Sequence, residues 1–182
     1  MTPDIHRYSK CAPALLAIAL LFLLAACAAK PGIHTTAEQS AYNTYNNARF
    51  GYSICYPPDQ LVPQGEPDNS DGQRFLSKDG RAIVLVFGSH NALNKTLRDI
   101  QQSEIERFKG LDGSFKPLDT QVTGTTSILE GTSDTQDYYE KVVFSGDTIF
   151  TFIAQYPKKD VSTFEPIVSH MADCFLVFPQ AR

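Results

Sequence analysis

The sequence predicts an α+β domain: an antiparallel β-sheet flanked by helices, arranged as an α/β/α sandwich. Segments in which apolar and polar residues alternate recur along residues 48–178, and turn signals such as Asp79-Gly80 join several of them as hairpins. Two segments with helical spacing of apolar residues lie among these strands. Hairpin-linked strands pair antiparallel, and helices are needed to cover the apolar faces of their sheet.

The first elements of the domain are three strands. In residues 48–57, apolar side chains fall at every second position, which indicates a half-buried strand. After a polar loop, residues 73–77 and 82–87 flank Asp79-Gly80, a strong hairpin signal. The second arm of this hairpin is apolar at every position, so we expect a central strand with both faces covered.

A helix follows this hairpin. Apolar residues recur near helical spacing within residues 96–109. Thr96 and Asp99 have the spacing of a capping box, in which each side chain bonds the backbone N–H of the other residue. Gly110 is expected to end the helix.

The rest of the domain is predicted to be a β-meander, a closing helix and a short final strand. Ser145-Gly146-Asp147 marks the tight turn between the last two strands of the meander. Pro166 is compatible with the closing helix if it lies in the first turn, where its missing N–H is not needed. These strands and the helix are predicted at residues 121–130, 138–144, 148–156, 161–172 and 174–178.

The N-terminal segment has the form of a lipoprotein export signal. Arg7 and Lys10 precede an apolar run at residues 12–26. The run closes with Leu24-Ala25-Ala26-Cys27, an apolar residue and two small residues before a cysteine, which is the lipobox pattern of bacterial lipoprotein precursors. We interpret residues 1–26 as a signal peptide and Cys27 as the lipid attachment site, diacylated through its sulfur with fatty acids such as palmitate.

Two alternatives remain for this segment. The apolar run extends to Ala29, so it approaches the length of a retained transmembrane anchor. A secretory signal cut after Ala28 also has the required small residues. If Cys27 is lipidated, the residue after it bears on sorting. Signals for retention in the inner membrane have Asp at that position, whereas this chain has Ala28. The expected location is therefore the cell envelope, lipid-anchored to the outer membrane and facing the periplasm.

The mature chain divides into a tether and a domain. Residues 27–47 are mostly polar, which is typical of a flexible tether that follows the lipidated residue. The folded domain is predicted at residues 48–182. The 182-residue chain, with 42% hydrophobic side chains, is long enough for one such domain and its N-terminal segments.

Only two cysteines remain for the folded domain. Cys11 leaves with the signal and Cys27 is lipidated, so Cys55 and Cys174 form an even pair in an exported protein, which predicts a disulfide. The alternative is two buried free thiols packed as small hydrophobic groups. A metal site is not expected, because two cysteines without a nearby His cannot complete a tetrahedral site.

The start of the domain resembles a known family. Phe50-Gly51-Tyr52-Ser53-Ile54 with Tyr56-Pro57, then Asp71-Gly72-Gln73, then the hairpin with Phe75, Ser77 and Asp79-Gly80, is similar to the opening of PsbP-like domains. That fold class includes bacterial envelope lipoproteins of the DcrB type, associated with phage adsorption. The resemblance implies an α/β/α sandwich with a binding or assembly role, and it supplies no catalytic residues and no cofactor. The pair Cys55 and Cys174 is not part of that pattern.

Several function classes lack support in the sequence. A net charge of −4 without a block of Lys or Arg argues against a nucleic-acid partner. His90, in the loop after the central strand, is the one plausible acid-base residue, and no partner motif accompanies it. The acidic residues between Glu66 and Asp71 suggest a calcium loop, although the spacing does not match an EF-hand and an ordinary acidic turn is the better interpretation.

Aromatic residues in the meander are the remaining candidates for a binding surface. Alternating residues of a sheet cannot all face one core, so part of this set must be covered by a helix, a ligand or a partner. We therefore expect a non-enzymatic envelope lipoprotein that binds another envelope protein or helps to assemble one, with a periplasmic hydrolase using the His90 loop or a small-ligand carrier as alternatives. The set comprises Tyr138, Tyr139, Phe144, Phe150, Phe152 and Tyr156.

Overall fold

A computed structural model describes residues 42–178 of the chain. The predicted signal peptide, Cys27 and most of the tether lie outside the described residues. Seven strands form the main sheet: β3 (Leu61–Pro63), β4 (Gly72–Ser77), β5 (Ile83–His90), β6 (Lys116–Thr123), β7 (Thr126–Thr132), β8 (Gln136–Ser145) and β9 (Thr148–Pro157). Their order is β3-β4-β5-β9-β8-β7-β6, and every neighbouring pair is antiparallel.

A smaller sheet and two helices complete the architecture. The small sheet has the order β1-β2-β10. Within the described range, no helix is long and apolar enough to cross a membrane. The additional elements are β1 (Asn43–Asn47), β2 (Tyr52–Tyr56), β10 (Leu176–Val177), α1 (Leu97–Leu111) and α2 (Val161–Asp173), the last preceded by a 3-10 turn at Lys158–Asp160.

The two helices cover opposite faces of the main sheet. Phe152 and Ala154 of β9 pack into the core that contains α2 and β2. Ile153, between them in sequence, packs with Phe108 of α1 in a second core. Because side chains alternate across a strand, α1 and α2 lie on different faces, which confirms the predicted α+β sandwich.

The disulfide prediction is also confirmed. Cys55 of β2 is bonded to Cys174, the residue that follows α2, and their Cα atoms are 5.8 Å apart. The bond links residues separated by 119 positions. It fixes the end of α2 to the small sheet, which β10 also joins by pairing with β2.

The predicted tether extends too far along the chain. Asn43–Asn47 forms β1, which pairs with β2 along its whole length. The buried Asn47 side chain accepts a 2.8 Å hydrogen bond from the N–H of Phe50 and donates one of 2.9 Å to the carbonyl of Ser70. Polar contacts of this kind stabilise a strand whose sequence lacks apolar alternation, so the expected boundary at residue 47 is wrong. The strand expected at 48–57 is correspondingly shorter, because a turn with Gly51 at φ 69° precedes Tyr52, and it is buried on both faces instead of half-buried.

Other expected boundaries also change. The single strand predicted at 121–130 is two strands, β6 and β7, joined by a turn in which Gly124 has φ +56°. β6 is exposed along almost its whole length, so it shows no apolar alternation.

Pro166 lies in the second turn of α2 instead of the first. The second face of β5 is only partly covered, because α1 packs on β6 and β7 instead.

The start of α1 agrees with the sequence, and its end does not. The N–H of Asp99 donates to the Thr96 hydroxyl oxygen at 3.2 Å, and the N–H of Thr96 donates to the Asp99 carboxylate at 2.9 Å, which is the predicted capping box. The helix continues through Gly110 to Leu111. Gly110 lacks the left-handed backbone that would end a helix, and Asp112 caps it instead.

Candidate functional site

An open groove lies between α2 and the part of the sheet formed by β6, β7 and β8. Its cavity measures about 380 Å³, within the usual range for ligand sites. Leu118 and Val161 contribute exposed apolar surface. We call this the acidic groove, and the residues that define it are Glu130, Asp137, Tyr139, Tyr156, Glu165 and Asp173.

Strand register places four of these residues together. Glu130 of β7 lies directly opposite Tyr139 of β8. Asp137, two residues from Tyr139 on the same face of β8, lies opposite Tyr156 of β9. Each tyrosine therefore has a carboxylate as its cross-strand neighbour.

Helix α2 supplies the opposite wall. Glu165 and Asp173 are eight residues apart and flank Ser169, so the three side chains form one stripe along the helix. The disulfide at Cys174 holds the residue next to Asp173. The wall is therefore attached to the small sheet at its C-terminal end.

The groove carries more negative charge than the surrounding protein neutralises. Ion pairs in the described part of the chain involve Asp79, Asp160, Glu104 and Glu106, none of which lines the groove. Lys141 lies nearby: its ammonium group donates to the carbonyl of Ala172 at 2.7 Å, and its charge interacts with that of Asp173, so it offsets part of the negative charge.

Among the groove carboxylates, Asp137 accepts a hydrogen bond of 2.7 Å from the hydroxyl of Thr132. Glu130, Glu165 and Asp173 accept none from the described residues. The groove therefore presents free acceptors to whatever enters it.

The two tyrosines are perturbed by burial and by this charge. Burial, and then the charges of Glu130 and Asp173, raise the pKa of Tyr139 to about 12. For Tyr156, burial and then the charges of Asp137, Glu165 and Glu130 raise the pKa to about 12. Both hydroxyls therefore remain protonated at physiological pH.

Tyr156 is the most informative of these residues. Only 7% of its surface is exposed, and its ring stacks on Phe164 at 5.8 Å between centroids. Its hydroxyl has no hydrogen-bond partner within residues 42–178, although it lies among the groove carboxylates that raise its pKa. The oxygen itself is not among the fully buried unpartnered atoms of the described residues, so it is open to the groove and can bond a molecule that enters it.

The sequence-based candidates lie elsewhere. His90 is exposed at the end of β5, with its ring 5.4 Å from that of Phe50, and it does not line the groove. No side chain in the described range is hydrogen-bonded to it. Glu66, in the acidic segment considered above as a calcium loop, accepts a 2.6 Å hydrogen bond from the hydroxyl of Tyr45. The described residues contain no cluster of His, Cys, Asp or Glu able to hold a metal ion.

Five of the six aromatic residues divide among three environments, and the sixth, Phe144, is half-buried in β8. Phe150 and Phe152 are fully buried under α2, and Tyr138 is buried under α1. Tyr139 and Tyr156 line the groove, as the argument from alternation requires for part of the set. Sequence reasoning missed the four groove carboxylates. The four-residue spacing from Glu165 through Ser169 to Asp173 is the signal that could have indicated a polar stripe on α2.

Comparison with known proteins supports the fold. No known protein family matches the sequence, and no curated protein matches it. The structure is similar to that of the cyanobacterial PsbP protein from Synechocystis, with a TM-score of 0.59 at 15% sequence identity over 76% of this chain and 93% of that protein. The PsbP-like fold is therefore confirmed, and at this identity the similarity establishes the fold alone.

Two weaker structural similarities were also found. A Pseudomonas aeruginosa protein of unknown function matches with a TM-score of 0.48 at 9% identity, over 76% of this chain and 99% of that one. A Bacteroides thetaiotaomicron protein matches with a TM-score of 0.46 at 11% identity, over 78% of this chain and 50% of that one.

Proposed function

We propose that this protein is a lipid-anchored lipoprotein of the bacterial cell envelope with a non-enzymatic binding or assembly role. The lipobox at Leu24-Ala25-Ala26-Cys27 supports the anchor. Several acyl chains on Cys27 would make the attachment effectively permanent, whereas one chain would be marginal. Ala28 favours sorting to the outer membrane, with the domain facing the periplasm.

The binding role is supported chiefly by the acidic groove. It combines an open cavity, a half-exposed apolar rim and polar groups that lack partners within the described residues. Convergent polar groups in such a cavity are the usual signature of a binding site. The DcrB-type relationship suggested by the sequence is consistent with this role and belongs to the same proposal.

Cross-linking in membranes tests both parts of the proposal. Cells carrying the wild type, Cys27→Ala or Cys11→Ala are fractionated, cross-linked and subjected to pull-down. We expect the wild type and Cys11→Ala to fractionate with membranes and to recover the same envelope protein. Cys27→Ala should leave the membrane fraction and lose that protein. If Cys27→Ala fractionates like the wild type, the lipid anchor is refuted; if the wild type recovers no specific protein, the binding role is refuted.

A further inference from the structure

We infer that the acidic groove binds a lysine or arginine side chain presented by a protein partner. This inference rests on the proposed binding role and specifies the chemistry of its ligand. Four carboxylates line one cavity and none forms an ion pair in the described part of the chain, while Lys141 offsets part of the charge of Asp173 alone. A cationic ligand is the complement of that charge.

The unpartnered hydroxyl of Tyr156 is a second and independent indication. The side chain is more than nine-tenths buried, lines the cavity and makes no hydrogen bond to the described residues. A hydroxyl can accept a hydrogen bond from an ammonium or guanidinium group. One cation at this position would satisfy Tyr156 and lie beside Asp137 and Glu165, whose charges act on the same hydroxyl.

The shape and composition of the groove favour a side chain over a bare ion. The described residues include no cluster of metal-ligating groups. Leu118 and Val161 offer apolar surface to the methylene stem of a long side chain, while the half-buried ring of Tyr139 can contact its charged end. Phosphate groups of lipids or nucleic acids would be repelled by the carboxylates.

A basic segment of another envelope protein is the occupant that this chemistry favours. The chain itself has a net charge of −4, so contact between two copies gains less from charge complementarity. A free organic polycation has the same charged group without the peptide backbone. The test therefore includes spermidine as a separate arm.

Binding is measured with the full-length chain in mild detergent and a fluorescent tri-lysine peptide. The test variant carries Asp137→Asn and Glu165→Gln. The matched control carries Asp147→Asn and Glu106→Gln, which remove two negative charges from exposed positions outside the groove. We expect affinity to fall at least about tenfold in the test variant and less than about twofold in the control.

Tyr156→Phe provides a second variant that removes only the hydroxyl. Circular dichroism establishes that each variant is folded, and we expect Tyr156→Phe to weaken peptide binding severalfold with its fold unchanged. Equal losses in the test and control variants, or full affinity in all of them, would overturn the inference. Binding of spermidine as tight as that of the peptide would also overturn it in favour of a small organic cation.

The two proposals fail separately. If the membrane pull-down recovers an envelope protein equally well with Asp137→Asn and Glu165→Gln, the binding role stands and the groove inference is wrong. If the peptide binds specifically in the groove but membranes yield no partner, the groove chemistry stands and the envelope binding role is wrong.

Discussion

Replacing Glu140 with Gln should stabilise the protein at neutral pH. Glu140 lies in β8 between Leu129 and Ile153 of the neighbouring strands, and only 2% of its surface is exposed. Neither carboxylate oxygen has a hydrogen-bond partner within the described residues. Burial and the charge of Glu104 raise its pKa from 4.5 to about 8, while Arg107 opposes the shift.

The sign of the pH dependence follows from this raised pKa. Below pH 4.5, Glu140 is protonated in both the folded and the unfolded chain. Above pH 4.5 the unfolded chain releases this proton, whereas the folded protein keeps it until about pH 8. The free energy of unfolding therefore falls with rising pH across this window, by about 1.4 kcal/mol per pH unit and roughly 5 kcal/mol in all.

Urea unfolding monitored by circular dichroism between pH 5 and 9 measures this effect. Glu140→Gln should have a flatter profile than the wild type, and its relative stability should grow as the pH rises to 8. Glu106→Gln is the matched control, because it makes the same chemical change on an exposed side chain of α1. Parallel pH profiles for the wild type and Glu140→Gln would mean that folding does not raise the pKa of Glu140.

Two further predictions concern the disulfide and a close contact on the sheet. Replacing both Cys55 and Cys174 with Ala should lower the free energy of unfolding by about 5 kcal/mol, since the bond closes a loop with a separation of 119 residues. An unchanged urea midpoint after reduction of the disulfide in the wild type would contradict this prediction. Gly131→Ala should destabilise the protein by about 1 to 3 kcal/mol, because an added Cβ would overlap the ring of Phe115. Thermal unfolding checks this result, with Gly113→Ala as the control because a Cβ there meets no atom within 4 Å.

The sequence predicted elements whose signals are local. The alternation in β2, the Asp79-Gly80 hairpin and the capping box at Thr96 each depend on residues a few positions apart. Asn43–Asn47 and β6 were missed or misplaced because their side chains are largely polar or exposed. Such strands are held by backbone pairing, which leaves little trace in a hydrophobic pattern.

The acidic groove was not predicted, for a different reason. Tyr156 and Asp137 come together only through the register of β8 and β9, and Glu165 approaches them only when α2 packs on the sheet. A sequence does not state which strands are neighbours across such distances. The alternation of side chains indicates that part of the aromatic set must be covered. It does not indicate that carboxylates lie around Tyr156.

Site-specific photo-cross-linking in membranes can show whether a basic segment of another envelope protein occupies the acidic groove. A photoreactive amino acid at Leu118, which is 68% exposed and lines the groove, is compared with one at Leu93, which is 78% exposed and does not line it. We expect only the Leu118 position to cross-link an envelope protein, through a peptide containing lysine or arginine, and Asp137→Asn with Glu165→Gln to abolish the product. The same products from both positions, or a product unaffected by the groove substitutions, would contradict it.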